Sequence, residues 1–169
     1  MKTINKILVI LSTLIVLSSC GKYEEGTVIS FRSPEKRLIG MWEFSSVLID
    51  GTEYISGYTN DSTDLKLSVS GSKDEMFVIL VEDNRGSAQL SSSLLYLNDN
   101  KTEMTFDLSP SPLYEDITQY FFALIPALKE RNTWLIKRLS FDELWITADY
   151  QELAYELHLK KTEQYSFNQ

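Results

Sequence analysis

The chain has 169 residues, 43% of them hydrophobic, and sets 16 Lys and Arg against 24 Asp and Glu for a net charge of −8. That length suits one domain, and the apolar share is enough to bury a core rather than leave the chain disordered. Phosphate backbones demand a basic face, so this acidic balance excludes nucleic acid as a partner.

The first residues point to export. Lys2 and Lys6 precede an apolar run over residues 7–17, relieved only by Ser12 and Thr13. A positive stretch followed by a short apolar run is the pattern of a secretory signal. The run is shorter than the ~20 residues that a membrane-spanning helix needs. It ends in Leu17-Ser18-Ser19-Cys20 before Gly21. This resembles a lipobox, in which small residues admit the peptidase and the thiol receives the diacylglyceryl group. The alternative is an ordinary buried thiol behind a plain signal peptide. Cys20 is the only cysteine, so no internal disulfide can form, and an odd exported cysteine calls for such an explanation.

The expected organisation is a signal peptide over residues 1–19, a lipidated flexible tether over 20–33 and a folded domain over 34–169. Cleavage removes Lys2 and Lys6, leaving 14 basic against 24 acidic residues and a net charge of −10. Acyl chains, at roughly 0.8 kcal/mol per buried methylene, anchor such a chain durably to a membrane. Gly21 is not the aspartate of an inner-membrane retention signal, which favours the outer membrane of the cell envelope. Lys22-Tyr23-Glu24-Glu25 resembles the stretch that sends some Gram-negative lipoproteins to the cell surface. A solvated tether is the other reading, and periplasmic and surface-facing orientations both stay open.

From Ser33 onward the pattern turns to strands. Ser33-Pro34-Glu35 has the N-cap, proline and acid of a short helical start. A first strand follows over residues 39–49, with Trp42, Phe44 and Leu48 on one face. Asp50-Gly51 is a strong hairpin signal, answered by residues 52–58. Residues 64–69 alternate. Residues 76–81 are apolar throughout, as in a strand covered on both sides. Residues 87–97 and 102–108 form the next pair. After Ser109-Pro110-Ser111-Pro112, the spacing of Ile117, Tyr120, Phe121 and Leu124 predicts a helix over 113–125, ended by Pro126. An aromatic-rich strand is the competing reading. Three strands close the chain, over 133–140, 144–150 and 153–161. Short strands joined by tight turns suit an antiparallel up-and-down barrel of about eight or nine strands, and closure removes the exposed edges. The fold class is therefore mostly β, with one short helix in a late connection.

Gly40-Met41-Trp42, just after the helical turn and at the head of the first strand, resembles the Gly-x-Trp opening of a lipocalin. The segment from Trp134 to Ile146 resembles the late hairpin of small lipocalin-like lipoproteins of Gram-negative bacteria. The resemblance spans residues 35–161. It implies that Gly40 lets the backbone pass close to its neighbours and that Trp42 plugs the barrel floor. Two departures stand out. Lipocalins follow the last strand with a long helix, and they set an arginine near that strand to stack on the tryptophan. Here only Lys160 or Lys161 is available there, and Arg138 lies earlier.

No catalytic centre is expected. His158 is the only histidine, and it alternates with Leu157 and Leu159, which places it on an outer face. No Gly-x-Ser-x-Gly elbow exists, and Ser33-Pro34-Glu35-Lys36 matches Ser-x-x-Lys without its companion motifs. One histidine and one lipidated cysteine cannot make a zinc site, and no cofactor is expected. Asn60-Asp61 with Asp64, and Asn98-Asp99-Asn100 with Glu103, offer oxygens for calcium but read better as turns. The acidic doublets fall at strand ends or in a loop, where they read as solvation.

The plentiful aromatics admit two readings. One is packing. The other is an amphipathic lining from Phe44, Tyr54, Tyr58, Tyr96 and Tyr150 for a small hydrophobic molecule such as a fatty acid, sterol or phenolic. A partner protein on a filled, ligand-free barrel is the alternative, because an eight-stranded barrel can either fill itself or hold one small ligand.

Overall fold

The computed structural model describes residue 23 and residues 32–56, 65–82, 88–109, 119, 121–123 and 125–162. A one-turn helix, α1 (Pro34–Leu38), leads into nine strands. These are β1 (Gly40–Ile49), β2 (Thr52–Ser56), β3 (Leu65–Gly71), β4 (Met76–Glu82), β5 (Ala88–Leu97), β6 (Glu103–Phe106), β7 (Asn132–Leu139), β8 (Glu143–Tyr150) and β9 (Leu153–Thr162). Every pairing is antiparallel.

Strands β3 to β9 run as a meander, and β9 returns to pair with β1 from Met41↔Thr162 to Ile49↔Tyr155. That closes an eight-stranded barrel with β2 as an extra strand. A strand has two edges, and β9 occupies one edge of β1 along its length. The other is shared, with Gly40 to Glu43 paired to β3 and Ser46 to Ile49 paired to β2. Closure leaves β1, β3 and β9 no unpaired edge for another chain to extend.

Burial follows the pleat. In β3, Leu65, Leu67 and Val69 point inward while Lys66 and Ser68 do not. In β1 the phase slips. A bulge between Phe44 and Ser46 inserts one residue, so the inward set runs Trp42, Phe44, then Val47. Simple alternation had placed Leu48 on that face, and the bulge overturns it. The apolar run in β4 also proves one-sided in its first half. Met76, Val78 and Leu80 are buried, whereas Phe77 and Ile79 stay partly exposed on the outer wall.

Two hairpin turns explain themselves differently. Asp50 and Gly51 both take positive φ, 50° and 74°, the geometry that Asp-Gly is suited to. Gln151 and Glu152 adopt the same region, 50° and 67°, without a glycine. The helix expected over 113–125 is met at Gln119 and at Phe121, Phe122 and Ala123, which are helical, and Ile125 N–H donates to the Phe121 carbonyl at 2.9 Å. Residues 113–118, 120 and 124 lie outside the described residues. A 3₁₀ turn (Pro126–Leu128) then returns the chain to β7.

Candidate functional site

The barrel has a floor and a mouth, and different elements fill each. At the floor, Ser33 caps α1 by accepting from the Lys36 N–H, and α1 lays Leu38 across the end of the strands with no exposure. The Leu38 carbonyl accepts a 2.8 Å hydrogen bond from the indole N–H of Trp42, itself fully buried. Lys161, on β9, sets its ammonium 4.6 Å from the Trp42 ring centroid. It also donates to the carbonyls of Arg37, at 2.6 Å, and Ile39, at 2.8 Å. Burial pushes the Lys161 amine below its usual range, and the Arg32 charge adds to the effect. Gly40 makes this close approach feasible. It has φ of +144°, and a Cβ there would lie 2.9 Å from the Lys161 Cε.

Around this core the floor is laced to its neighbours. The Arg37 guanidinium donates to the Leu139 carbonyl, and Glu35 pairs with Lys101 at 3.6 Å. Burial opposes ionisation of Glu35, but its own backbone N–H, the Ser33 hydroxyl and Lys101 together hold its carboxyl below the ordinary carboxylate range. Tyr23 is buried here too, although it falls within the flexible tether expected over residues 20–33. Its hydroxyl donates to the Lys101 carbonyl at 3.0 Å, and the Arg37 guanidinium lies 5.6 Å from its ring.

Strand-borne side chains fill the barrel above the floor. Trp134 stacks on Phe106 with centroids 6.2 Å apart, amid inward Val78, Leu80, Ile136, Ile146 and Leu157. The mouth is filled otherwise. Phe121, Phe122, Ile125, Ala127 and Leu128, all from the β6–β7 connection, are buried. Phe121 meets the strand residue Phe44 edge to face at 5.3 Å, and Leu108 N–H holds the Leu128 carbonyl at 2.8 Å. At the rim, Tyr150 meets the buried Tyr155 at 6.4 Å. The Asp50 carboxylate accepts the Ala154 N–H at 2.8 Å.

The five aromatic candidates therefore part company. Phe44 lines the interior, and Tyr150 packs on the core at the rim. Tyr54 and Tyr96 do not line it: they are 64% and 49% exposed. Tyr96 pairs with Thr105, whose neighbours Met104 and Phe106 point inward, so the ring lies on the outer wall under Arg131. Tyr58 lies outside the described residues. Trp134, Phe106 and Phe121 were missing from the expected lining. Their signal was available, since Phe106 alternates with buried Met104 and Phe121 falls in the helical spacing.

The remaining chemistry sits on the outside. His158 stacks on Trp145 at 4.2 Å and contacts Glu156 at 2.6 Å, and Arg138 covers the other indole contact at 4.9 Å. Asn98 behaves as a turn residue, its side-chain oxygen accepting the N–H groups of Thr102 and Glu103. Among the described residues no group of three or more His, Cys, Asp or Glu could hold a metal ion, and no helix is long and apolar enough to cross a membrane. A shallow depression of about 130 Å³ opens near Lys73, Asp74, Tyr96 and Lys101. Ligand sites run to about 300 Å³ or more, so this one is too small.

A closed meander of eight strands, with Gly40 and Trp42 at its floor, defines the architecture. The fold is a lipocalin-like barrel. Among solved structures, the chain is similar to a lipocalin-like protein from Bacteroides uniformis, at 16% identity and a TM-score of 0.46, covering 75% of this chain and 99% of that one. It is also similar to Japanin from Rhipicephalus appendiculatus, solved bound to cholesterol, at 8% identity and a TM-score of 0.44, covering 73% and 75% of the two chains. No family model and no curated protein matches the chain. Of Lys160 and Lys161, it is Lys161 that lies over Trp42.

Proposed function

We propose that the protein is a lipoprotein, cleaved before Cys20 and anchored by it in the outer membrane, that holds a small hydrophobic ligand in the upper half of its barrel. The observation that carries the ligand reading is the Phe44–Phe121 contact. Strand residues fill the lower half, and removing them would break the barrel. Phe121, Phe122 and Ile125 reach the upper half from one connection. Expelling Phe121 costs roughly 1.5–3 kcal/mol of lost burial, which an apolar ligand seated against Phe44 offsets by its own burial. No catalytic step is part of this reading.

The test is titration of the protein with a fluorescent fatty acid, such as cis-parinaric acid, and a fluorescent sterol. Saturable binding that tightens in Phe121→Ala supports the proposal, with Phe121→Leu as a milder variant if the first unfolds. No saturable binding by any of the three proteins to either probe would sink it. The anchor has its own test: Cys20→Ala should lose fatty-acid labelling and appear in the soluble fraction.

A second reading is a packed barrel that serves as an accessory or interaction protein. One observation favours it: Leu94 and Tyr96 on β5 and Leu135 on β7 are exposed on the outer wall, near the uncharged Thr105–Thr133 pair. Failure of all probes would make it the better account.

A further inference from the structure

Tyr23 is three residues from Cys20, and it is docked at the floor of the barrel. Three residues span at most about 11 Å. A ten-residue strand such as β1 extends to roughly 30 Å at about 3.3 Å per residue. An acylated Cys20 is therefore within reach of the floor and not of the mouth.

The chemistry of the two ends agrees. At the floor, Phe141 on the β7–β8 turn is 64% exposed. Arg32 lies 5.3 Å and Lys161 5.6 Å from its ring, with Asp142 as the adjacent acid, while elsewhere at this end Lys36, Lys73 and Lys101 are set against Asp74, Glu75 and Asp99. An exposed aromatic ring flanked by cations suits a headgroup region, where apolar surface enters and positive charge meets anionic lipid. The mouth is the more acidic end. Among the described residues its turns and rim carry Asp50, Glu53, Glu130, Asp149 and Glu152 against Lys129 and Arg131. A chain of net charge −10 after cleavage would turn that acidic end away from an anionic leaflet.

Resting on the lipid-anchor reading above, we infer that the floor of the barrel is its membrane-facing surface. The Tyr23 dock holds the acylated N-terminus there, Phe141 and its cations lie on the bilayer, and the mouth opens away from the membrane. A ligand then enters from the aqueous side rather than from the lipid beneath.

The experiment uses the full-length, acylated protein in vesicles of phosphatidylethanolamine and phosphatidylglycerol that carry a headgroup nitroxide. Acylation consumes the native thiol, so one added cysteine can be labelled with bimane: Lys36→Cys at the floor or Tyr54→Cys near the mouth. Several-fold stronger quenching at position 36 than at 54 is expected, and Phe141→Glu should weaken it. Equal quenching, or stronger quenching at 54, in protein that floats with the vesicles would overturn the orientation and leave the anchor standing. Protein that does not float would overturn the anchor, and the orientation with it.

Discussion

The Lys161 ammonium stands 4.6 Å from the centroid of the Trp42 ring, so the last strand's cation holds the first strand's tryptophan where the barrel closes. The same ammonium bonds the Arg37 and Ile39 carbonyls at the end of α1. Helix, first strand and last strand thus meet at one atom.

That junction predicts an ordered series. Lys161→Ala removes the contact with the ring and leaves two carbonyls short of a donor, for a loss of about 2–4 kcal/mol. Lys161→Arg keeps charge and donors and should cost clearly less. Gly40→Ala should match or exceed the alanine variant, because its φ of +144° and the 2.9 Å approach of Lys161 Cε penalise any side chain. Denaturant unfolding of the four proteins checks the order. Equal stability of Lys161→Ala and wild type would show that the junction contributes nothing.

Much of this barrel was legible. The alternation of Leu65, Leu67 and Val69 and the Asp50-Gly51 turn announced strands and a hairpin, because pleat and turn geometry constrain residue type locally. The floor was legible at Gly40 and Trp42. The lining was not. Tyrosine favours strands whichever face it occupies, so Tyr96 gave no sign that it points outward. The bulge before Ser46 was equally silent, and it misplaced Leu48. Tyr23 was hidden for another reason: the polar stretch of the expected tether carries no periodicity, and its dock depends on Lys101, 78 residues away.

The two buried tryptophans of the core should respond differently to phenylalanine. The Trp42 indole N–H donates to Leu38 at 2.8 Å, whereas the buried Trp134 N–H has no hydrogen-bond partner. Both substitutions leave a similar void, but only Trp42→Phe also strips a buried carbonyl of its donor. It should therefore be the costlier of the two by about 1–2 kcal/mol. Paired thermal melts read the difference, and a larger loss at Trp134 would contradict it.

Glu35 sets part of the acid limit. Its folded carboxyl titrates below the ordinary value of 4.5. On acidification the unfolded chain takes up that proton first, so stability falls as the pH drops from about the ordinary value through the folded one. The ion pair with Lys101 (3.6 Å) and the floor then loosen together. Glu35→Gln should be less stable than wild type at neutral pH, and the gap should close in acid. Unfolding at a series of pH values between neutrality and the acid transition measures it. A gap of constant size would show that the charge on Glu35 contributes nothing.

One turn of this barrel can be improved. Gln151 and Glu152 both sit at positive φ, 50° and 67°, in the two-residue hairpin that joins β8 to β9. A left-handed conformation costs an ordinary residue about 1–2 kcal/mol, and asparagine and glycine are the residues that tolerate it. Gln151 contributes only an exposed bond to the Tyr150 hydroxyl at 3.0 Å, so little opposes a change. Gln151→Asn with Glu152→Gly should stabilise the protein by about 1–2 kcal/mol, with the floor and its Trp42 environment unaltered. A higher midpoint with unchanged tryptophan fluorescence is the expected result. No gain would mean that the native turn is already relieved by its neighbours across the hairpin.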